Sequence, residues 1–139
     1  MDGMKLEYEV SAEDFSSAGE ASSNIKKVLR QLGIESSIIR RVAIATYEAE
    51  INVAIHSYGG KINVSIEPEQ IEIIARDRGP GIENLELAMK KGYSTATSEI
   101  RELGFGAGMG LPNMKKCCDA FGLDSKVGEF TEVKMTINM

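Results

Sequence analysis

Polar and apolar residues alternate from Lys5 to Val10, the period of two that a half-buried strand requires. Ser11-Ala-Glu-Asp14 then has the composition of a helix start with an acidic first turn. Behind it Phe15, Ala18, Ser22, Ile25, Val28, Leu29 and Leu32 recur at helical spacing, and Gly33 stands where a helix ends in a left-handed residue. A second helix is predicted from Ser36 or Ser37, either of which can cap it, to about His56. Its packed stripe is Ile38, Val42, Ala45, Ala49 and Val53. Residues 61–76 read as a β-hairpin. Ile62, Val64 and Ile66 alternate with polar residues, Glu67-Pro-Glu-Gln70 carries turn chemistry, and Ile71, Ile73 and Ala75 resume the alternation. A short amphipathic helix is predicted over 84–91 with Leu85, Ala88 and Met89 inward. Leu111, Met114, Cys118 and Phe121 then predict a helix from about Met109 to Phe121, stopped by Gly122. A strand over Leu123–Val127 and a last one carrying Thr131, Val133, Met135 and Ile137 close the chain.

Composition narrows the class. A length of 139 residues suits one domain, 1–139, able to bury a real core, and the sequence has no internal repeat. Net charge is −5 with the basic residues dispersed, so the electrostatic footprint of a nucleic-acid binder is missing. The apolar runs fall far short of a membrane span, and Met1-Asp-Gly-Met-Lys5 does not lead into a secretory signal. Cys117 and Cys118 are neighbours, which opposes normal disulfide geometry, and no His or Cys lies at zinc-site spacing. They read as reduced thiols of a cytoplasmic protein.

Three stretches carry candidate chemistry. Gly104, Gly106, Gly108 and Gly110 leave a bare backbone running into a helix N-terminus, where unpaired N–H groups and the helix dipole favour anions. Phosphate cradle and plain surface loop are both consistent with such a run. Glu48 and Asn52 stack one turn apart on the second helix, with Ile55 or His56 continuing that stripe. A solvated face would explain the pair, but its neighbours Ala43, Ala45, Ala49, Val53 and Ala54 are apolar, and polar groups there need partners. Asp77-Arg-Gly79-Pro-Gly81 ends the hairpin: an ordinary turn, or a carboxylate at a strand end beside glycines that let a flat ligand approach. The long connection from Gly92 to the glycine run has the length of a lid or binding loop.

Common phosphate motifs fail. No Gly-Lys-Ser/Thr occurs, so there is no Walker A loop. The two-residue glycine spacing does not match the dinucleotide fingerprint. Eukaryote-type kinase signatures are absent, as is the Gly-x-Ser-x-Gly elbow of Ser/His/Asp hydrolases.

The order that does fit is a helix with Glu-x3-Asn, a strand ending in Asp-x-Gly-x-Gly, a glycine-rich lid into a helix, and a strand carrying Thr. In that order the chain resembles the GHKL ATP-binding domain of gyrase-type ATPases, a class of heat-shock chaperones, histidine kinases and MutL-type proteins. More closely it resembles the small stand-alone serine/threonine kinases of bacterial partner switching, in the stress-module switch kinase branch. Glu48-Ala-Glu-Ile-Asn52-Val-Ala-Ile-His56 is similar to the N-box. Asp77 to Ile82 is similar to the first glycine box and Gly104 to Lys116 to the second. Thr131-Glu-Val stands where a closing Gly-Thr motif is expected, with Phe130 in place of the glycine.

The resemblance implies an α+β, Bergerat-type two-layer sandwich: a mixed, mostly antiparallel sheet with helices on one face and an ATP lid. It implies Asn52 as the protein ligand of Mg²⁺ and Glu48 as the general base toward a Ser or Thr hydroxyl. Asp77 is implied at the adenine amino group, with Gly81 beneath the ring and Thr131 beside it, and Gly106, Gly108 and Gly110 are implied at the phosphates; Gly79, Gly104, Met109 and Leu111 are implied as further nucleotide-binding residues. His56 reads as a packing or capping residue. Lys90, Lys91 and Arg101 are either solvated or turned toward the γ-phosphate. The implied substrate is a STAS-domain protein; a sigma factor or a downstream phosphatase is a further partner of such proteins, and a homodimer is compatible with the family. An anti-sigma factor acting by sequestration and a plain GHKL ATPase are the alternatives. A gyrase-type transducer domain is missing from the sequence, as is the histidine-bearing dimerisation helix of a sensor kinase.

Overall fold

The alternation of the hairpin region builds the centre of a five-stranded sheet. The computed structural model describes residues 3–11, 19–81, 89 and 110–139. Strands β1 (Met4–Val10), β2 (Gly60–Ile66), β3 (Gln70–Arg78), β4 (Ala120–Lys126) and β5 (Phe130–Asn138) lie in the order β1-β2-β3-β5-β4. The mostly antiparallel sheet expected from the resemblance is antiparallel at every pairing among the described residues.

Side chains on one face of the three central strands form the core: Ile62, Val64 and Ile66 of β2, Ile71, Ile73 and Ala75 of β3, and Val133, Met135 and Ile137 of β5. Each fully buried isoleucine among them contributes about 1.5–3 kcal/mol of transfer free energy. The opposite face is polar and carries cross-strand ion pairs, Arg76–Glu132 at 2.9 Å and Lys134–Glu72 at 3.6 Å. The Arg76 guanidinium also stacks 4.1 Å above the Phe130 ring. Among the described residues helices cover one face only. They are α1 (Glu20–Gln31), α2 (Ser36–His56) and α3 (Gly110–Cys117), with α2 central, packed on both other helices and on β1, β2, β3 and β5. The result is the expected α+β two-layer arrangement.

Gly33 ends α1 as predicted. It has φ +75°, its N–H donates to Arg30 O, and the Ile34 N–H donates to Leu29 O, the two bonds of a Schellman motif. At its other end α1 begins at Glu20 behind Gly19, whose φ is +98°. Residues 12–18, including most of the expected start at Ser11–Asp14 and the stripe members Phe15 and Ala18, lie outside the described residues. So does the expected helix over 84–91 apart from Met89, which packs against the core.

The third helix is shorter than its pattern suggests. It ends at Cys117, and Phe121 and Gly122 belong to β4. Phe121, Leu123 and Ser125 alternate as a strand does, so this segment satisfies both periods and pairing decides. The Asp119 N–H donates to Thr136 O at 2.8 Å and Ala120 pairs with Thr136. Arg41 of α2 fixes the turn from both sides, donating through Nε to Cys117 O (2.9 Å) and through Nη2 to Asp119 Oδ2 (3.1 Å). Cys117 and Cys118 are free and half-buried, in keeping with the expected thiols.

Candidate nucleotide-binding site

The inward row of β3 runs Ile71, Ile73, Ala75 and then Asp77, so the strand's period carries a carboxylate onto the core face at its end. The same happens on β5, where Thr131 precedes Val133, Met135 and Ile137. Register sets Asp77 directly opposite Thr131. The Thr131 N–H donates to Asp77 Oδ1 at 3.0 Å, and the Thr131 hydroxyl lies 3.1 Å from the Ser125 hydroxyl of β4. Asp77 is only 6% exposed. Burial pushes its carboxyl up from 3.8 to about 6, against the lowering effect of the Thr131 N–H. Among the described residues no other hydrogen bond to this carboxylate is made, which leaves a strong acceptor at the rim of the core. The substitution of Phe130 for the family's glycine has not displaced Thr131 from Asp77.

The end of α2 is fastened to this corner. The Ser57 hydroxyl donates to Val53 O (2.6 Å) and accepts from the Gly59 N–H (3.0 Å), which folds the chain back into β2. The Tyr58 N–H then donates to Arg78 O (2.7 Å) and the Arg78 N–H to Gly59 O (2.9 Å). A Cβ on Gly79 would sit 3.1 Å from Ser57 and 3.4 Å from Asp77 Oδ1, so this glycine lets α2's exit close over the strand end. Gly81 has φ +75° and a Cβ there would lie 2.6 Å from Lys126 O. Its missing side chain makes room for the β4–β5 turn, a packing role beside the ligand role implied by the resemblance.

On α2 itself Glu48 and Asn52 are both half-buried, one turn apart. Asn113 of α3 points Nδ2 at Glu48 Oε1 from 3.5 Å, so α2 and α3 meet along the Glu48 side. The Asn52 carboxamide makes no hydrogen bond among the described residues, which suits an oxygen donor to a hard cation. No group of three or more His, Cys, Asp or Glu among the described residues could hold a metal.

Sequence reading missed Glu50. It is 3% exposed and its carboxylate accepts three backbone N–H groups at the start of α1: Gly19 and Ala21 on Oε2, both 3.1 Å, and Ser22 on Oε1, 2.8 Å. Those are orphan donors of a helix N-terminus, satisfied here by a neighbouring helix. Desolvation raises the Glu50 carboxyl above its ordinary value, opposed by the three N–H donors. The signal was its spacing: Val42, Thr46 and Glu50 recur every four residues and all are buried. Gly110 and Leu111 open α3, and Leu111 lies in the core. Gly104, Gly106, Gly108 and Met109, with Lys90, Lys91 and Arg101, lie outside the described residues; so do the side chains of Ile55 and His56.

Residues 11–137 match the model of the histidine kinase-like ATPase domain. The chain belongs to this family. Its relatives include the serine/threonine-protein kinase RsbT of Bacillus subtilis (strain 168), 33% identical over 115 residues that cover 78% of this chain and 79% of that protein. The anti-sigma F factor of Thermoanaerobacter sp. (strain X514) is 35% identical over 103 residues, covering 70% and 68%. A chain in the crystal structure of the SiaB-SiaC complex from Pseudomonas aeruginosa shares the fold, with a TM-score of 0.61 over 95% of this chain and 89% of that one at 11% identity. These matches agree with the GHKL and partner-switching resemblance of the motifs, and family membership implies ATP use. No helix among the described residues is long and apolar enough to cross a membrane.

Proposed function

We propose that this protein is a Mg²⁺- and ATP-dependent serine/threonine kinase of a partner-switching pathway, with a STAS-domain protein as its phosphoacceptor. The observation that carries the reading is the joining of two motifs by the Ser57 hydroxyl and by backbone hydrogen bonds. The helix bearing Glu48 and Asn52 leaves through Ser57–Gly59 onto the strand end that bears Asp77. In this reading Asp77 accepts from the adenine amino group with the oxygen that Thr131 leaves free, in a dry setting that makes the bond strong. Asn52 would hold Mg²⁺ through its amide oxygen, and the bound ion would supply positive charge toward the transferred phosphoryl group. Glu48 takes the proton from the acceptor Ser or Thr hydroxyl as its oxygen bonds to the γ-phosphorus and the bond to the β-phosphate oxygen breaks. Asn113 steadies the Glu48 carboxylate from α3. Gly106, Gly108 and Gly110 are assigned to the phosphates in this reading; of these Gly110, at the start of α3, lies among the described residues.

A second reading has support from the anti-sigma F factor relatives: a module that sequesters a sigma factor and uses phosphorylation for release. Incubation with γ-labelled ATP, Mg²⁺ and a candidate STAS-domain protein separates the readings. Label on a Ser or Thr of the STAS protein supports the kinase. Nucleotide binding without transfer, together with a stable sigma-factor complex, supports sequestration. Hydrolysis with neither leaves a plain ATPase and refutes both.

A further inference from the structure

A groove of about 560 Å³ runs between α1 and the first half of α2, away from the Glu48 flank that faces α3. Its rims are cationic: Lys26 and Arg30, one turn apart on α1, face Arg40 on α2. All three are exposed, and none forms an ion pair among the described residues, whereas five other basic side chains do. Among the described residues no acidic residue lines the groove. Glu35, at the nearby turn, accepts the Ser37 hydroxyl at 2.7 Å. In a chain of net charge −5, a groove rimmed by uncompensated positive charge is a local exception.

The rest of its lining is mostly aliphatic, Ile34, Ile39, Ala43 and Ile44, together with Ser36. Ile44 is 39% exposed, and Tyr47, three residues further along α2, is 39% exposed as well. This continues an apolar ridge beyond the groove. A helix whose outward side is also apolar is one that lacks a partner. Cationic rims around an aliphatic trough fit an amphipathic helix whose apolar anchors recur at i, i+3, i+4 and i+7 and whose flanks are acidic. From Arg40 to Asn52 is about 18 Å along α2 at 1.5 Å per residue.

We propose that the α1–α2 groove docks an acidic amphipathic helix of a partner protein, with Lys26, Arg30 and Arg40 pairing its carboxylates and Ile44 receiving its apolar face. This holds whether the protein acts as a kinase or as a sequestering factor, since it draws on none of the nucleotide-site residues. Fluorescence anisotropy of the full chain with a labelled helical peptide tests it. The probe has Leu at i, i+3, i+4 and i+7 and Glu on both flanks; a matched peptide has Lys in place of Glu. The Glu peptide binds, the Lys peptide does not, and binding weakens with added salt. The triple variant K26E/R30E/R40E loses about tenfold or more in affinity, as does Ile44→Asp alone. Circular dichroism melts check that the variants fold; should the triple variant not fold, Arg30→Glu and Ile44→Asp stand in for it. Equal affinity of wild type and folded variants for the Glu peptide overturns the proposal. So does tighter binding to phosphatidylserine vesicles or to duplex DNA, or a dimer in solution that the triple variant abolishes, which would assign the groove to a lipid, a nucleic acid or a second copy.

Discussion

Asp77→Asn separates the stability cost of a buried carboxylate from its use. The substitution keeps the side-chain shape and an oxygen to accept the Thr131 N–H. It removes an ionisation that burial has moved from 3.8 to about 6. With the native pKa above the unfolded one, the native state holds the proton more tightly, so stability falls as pH rises between about 4 and 6. At about 1.4 kcal/mol per pH unit the gap corresponds to about 3 kcal/mol in all, of which about 2.4 kcal/mol is present at pH 4 and lost by pH 7. Asn does not titrate. The stability difference between Asp77→Asn and wild type should therefore move in the variant's favour by up to about 2.4 kcal/mol between pH 4 and pH 7.5. Urea unfolding of both proteins across that range measures it, and the groups they share cancel in the difference. At pH 7.5 the same variant should bind ATP about ten- to a hundredfold more weakly, because an NH₂ group meets the adenine amine where an oxygen stood. A difference independent of pH, or one moving the other way, would refute the burial reasoning. Unchanged ATP affinity would refute the adenine role while leaving that reasoning intact.

Glu50→Ala strips the acceptors from three N–H groups at the start of α1 and should cost about 3–4 kcal/mol, given roughly 1–3 for each buried donor left unpaired and partial rescue by water. Glu50→Gln keeps one oxygen and should lose about half as much. Chemical denaturation reads both, and equal stability of Glu50→Ala and wild type would remove the capping role. Two glycines with φ +75° should respond differently to alanine, since Gly33 faces open space and Gly81 faces Lys126 O at 2.6 Å. Gly33→Ala should cost about 1–2 kcal/mol and Gly81→Ala about 1–3 more; equal losses would contradict the packing assigned to Gly81.

Local patterns were legible where one period held without competition. The bounds of α2, the hairpin of β2 and β3, the inward row of β5 and the Gly33 stop all follow from spacing and a single conformational requirement. Asp77 was legible as a residue, but its pairing with Thr131 depends on β3 lying beside β5, a register between strands more than fifty residues apart. Glu50 escaped notice because its partners are backbone N–H groups of another helix, which leave no mark on side-chain composition. The end of α3 was misplaced because Cys118 and Phe121 extend a helical stripe as readily as Phe121 and Leu123 begin a strand. There the hydrogen bond from Asp119 to Thr136 and the grip of Arg41 decide.

The central claim is that the corner joining Glu48, Asn52 and Asp77 transfers a phosphoryl group, with Glu48 taking the acceptor's proton. Single-turnover transfer from γ-labelled ATP to the STAS acceptor, measured for wild type and Glu48→Gln alongside ATP affinity, tests it most directly. Glu48→Gln should slow transfer about a hundredfold or more while ATP affinity stays within about threefold of wild type. Transfer at the wild-type rate in Glu48→Gln would contradict it.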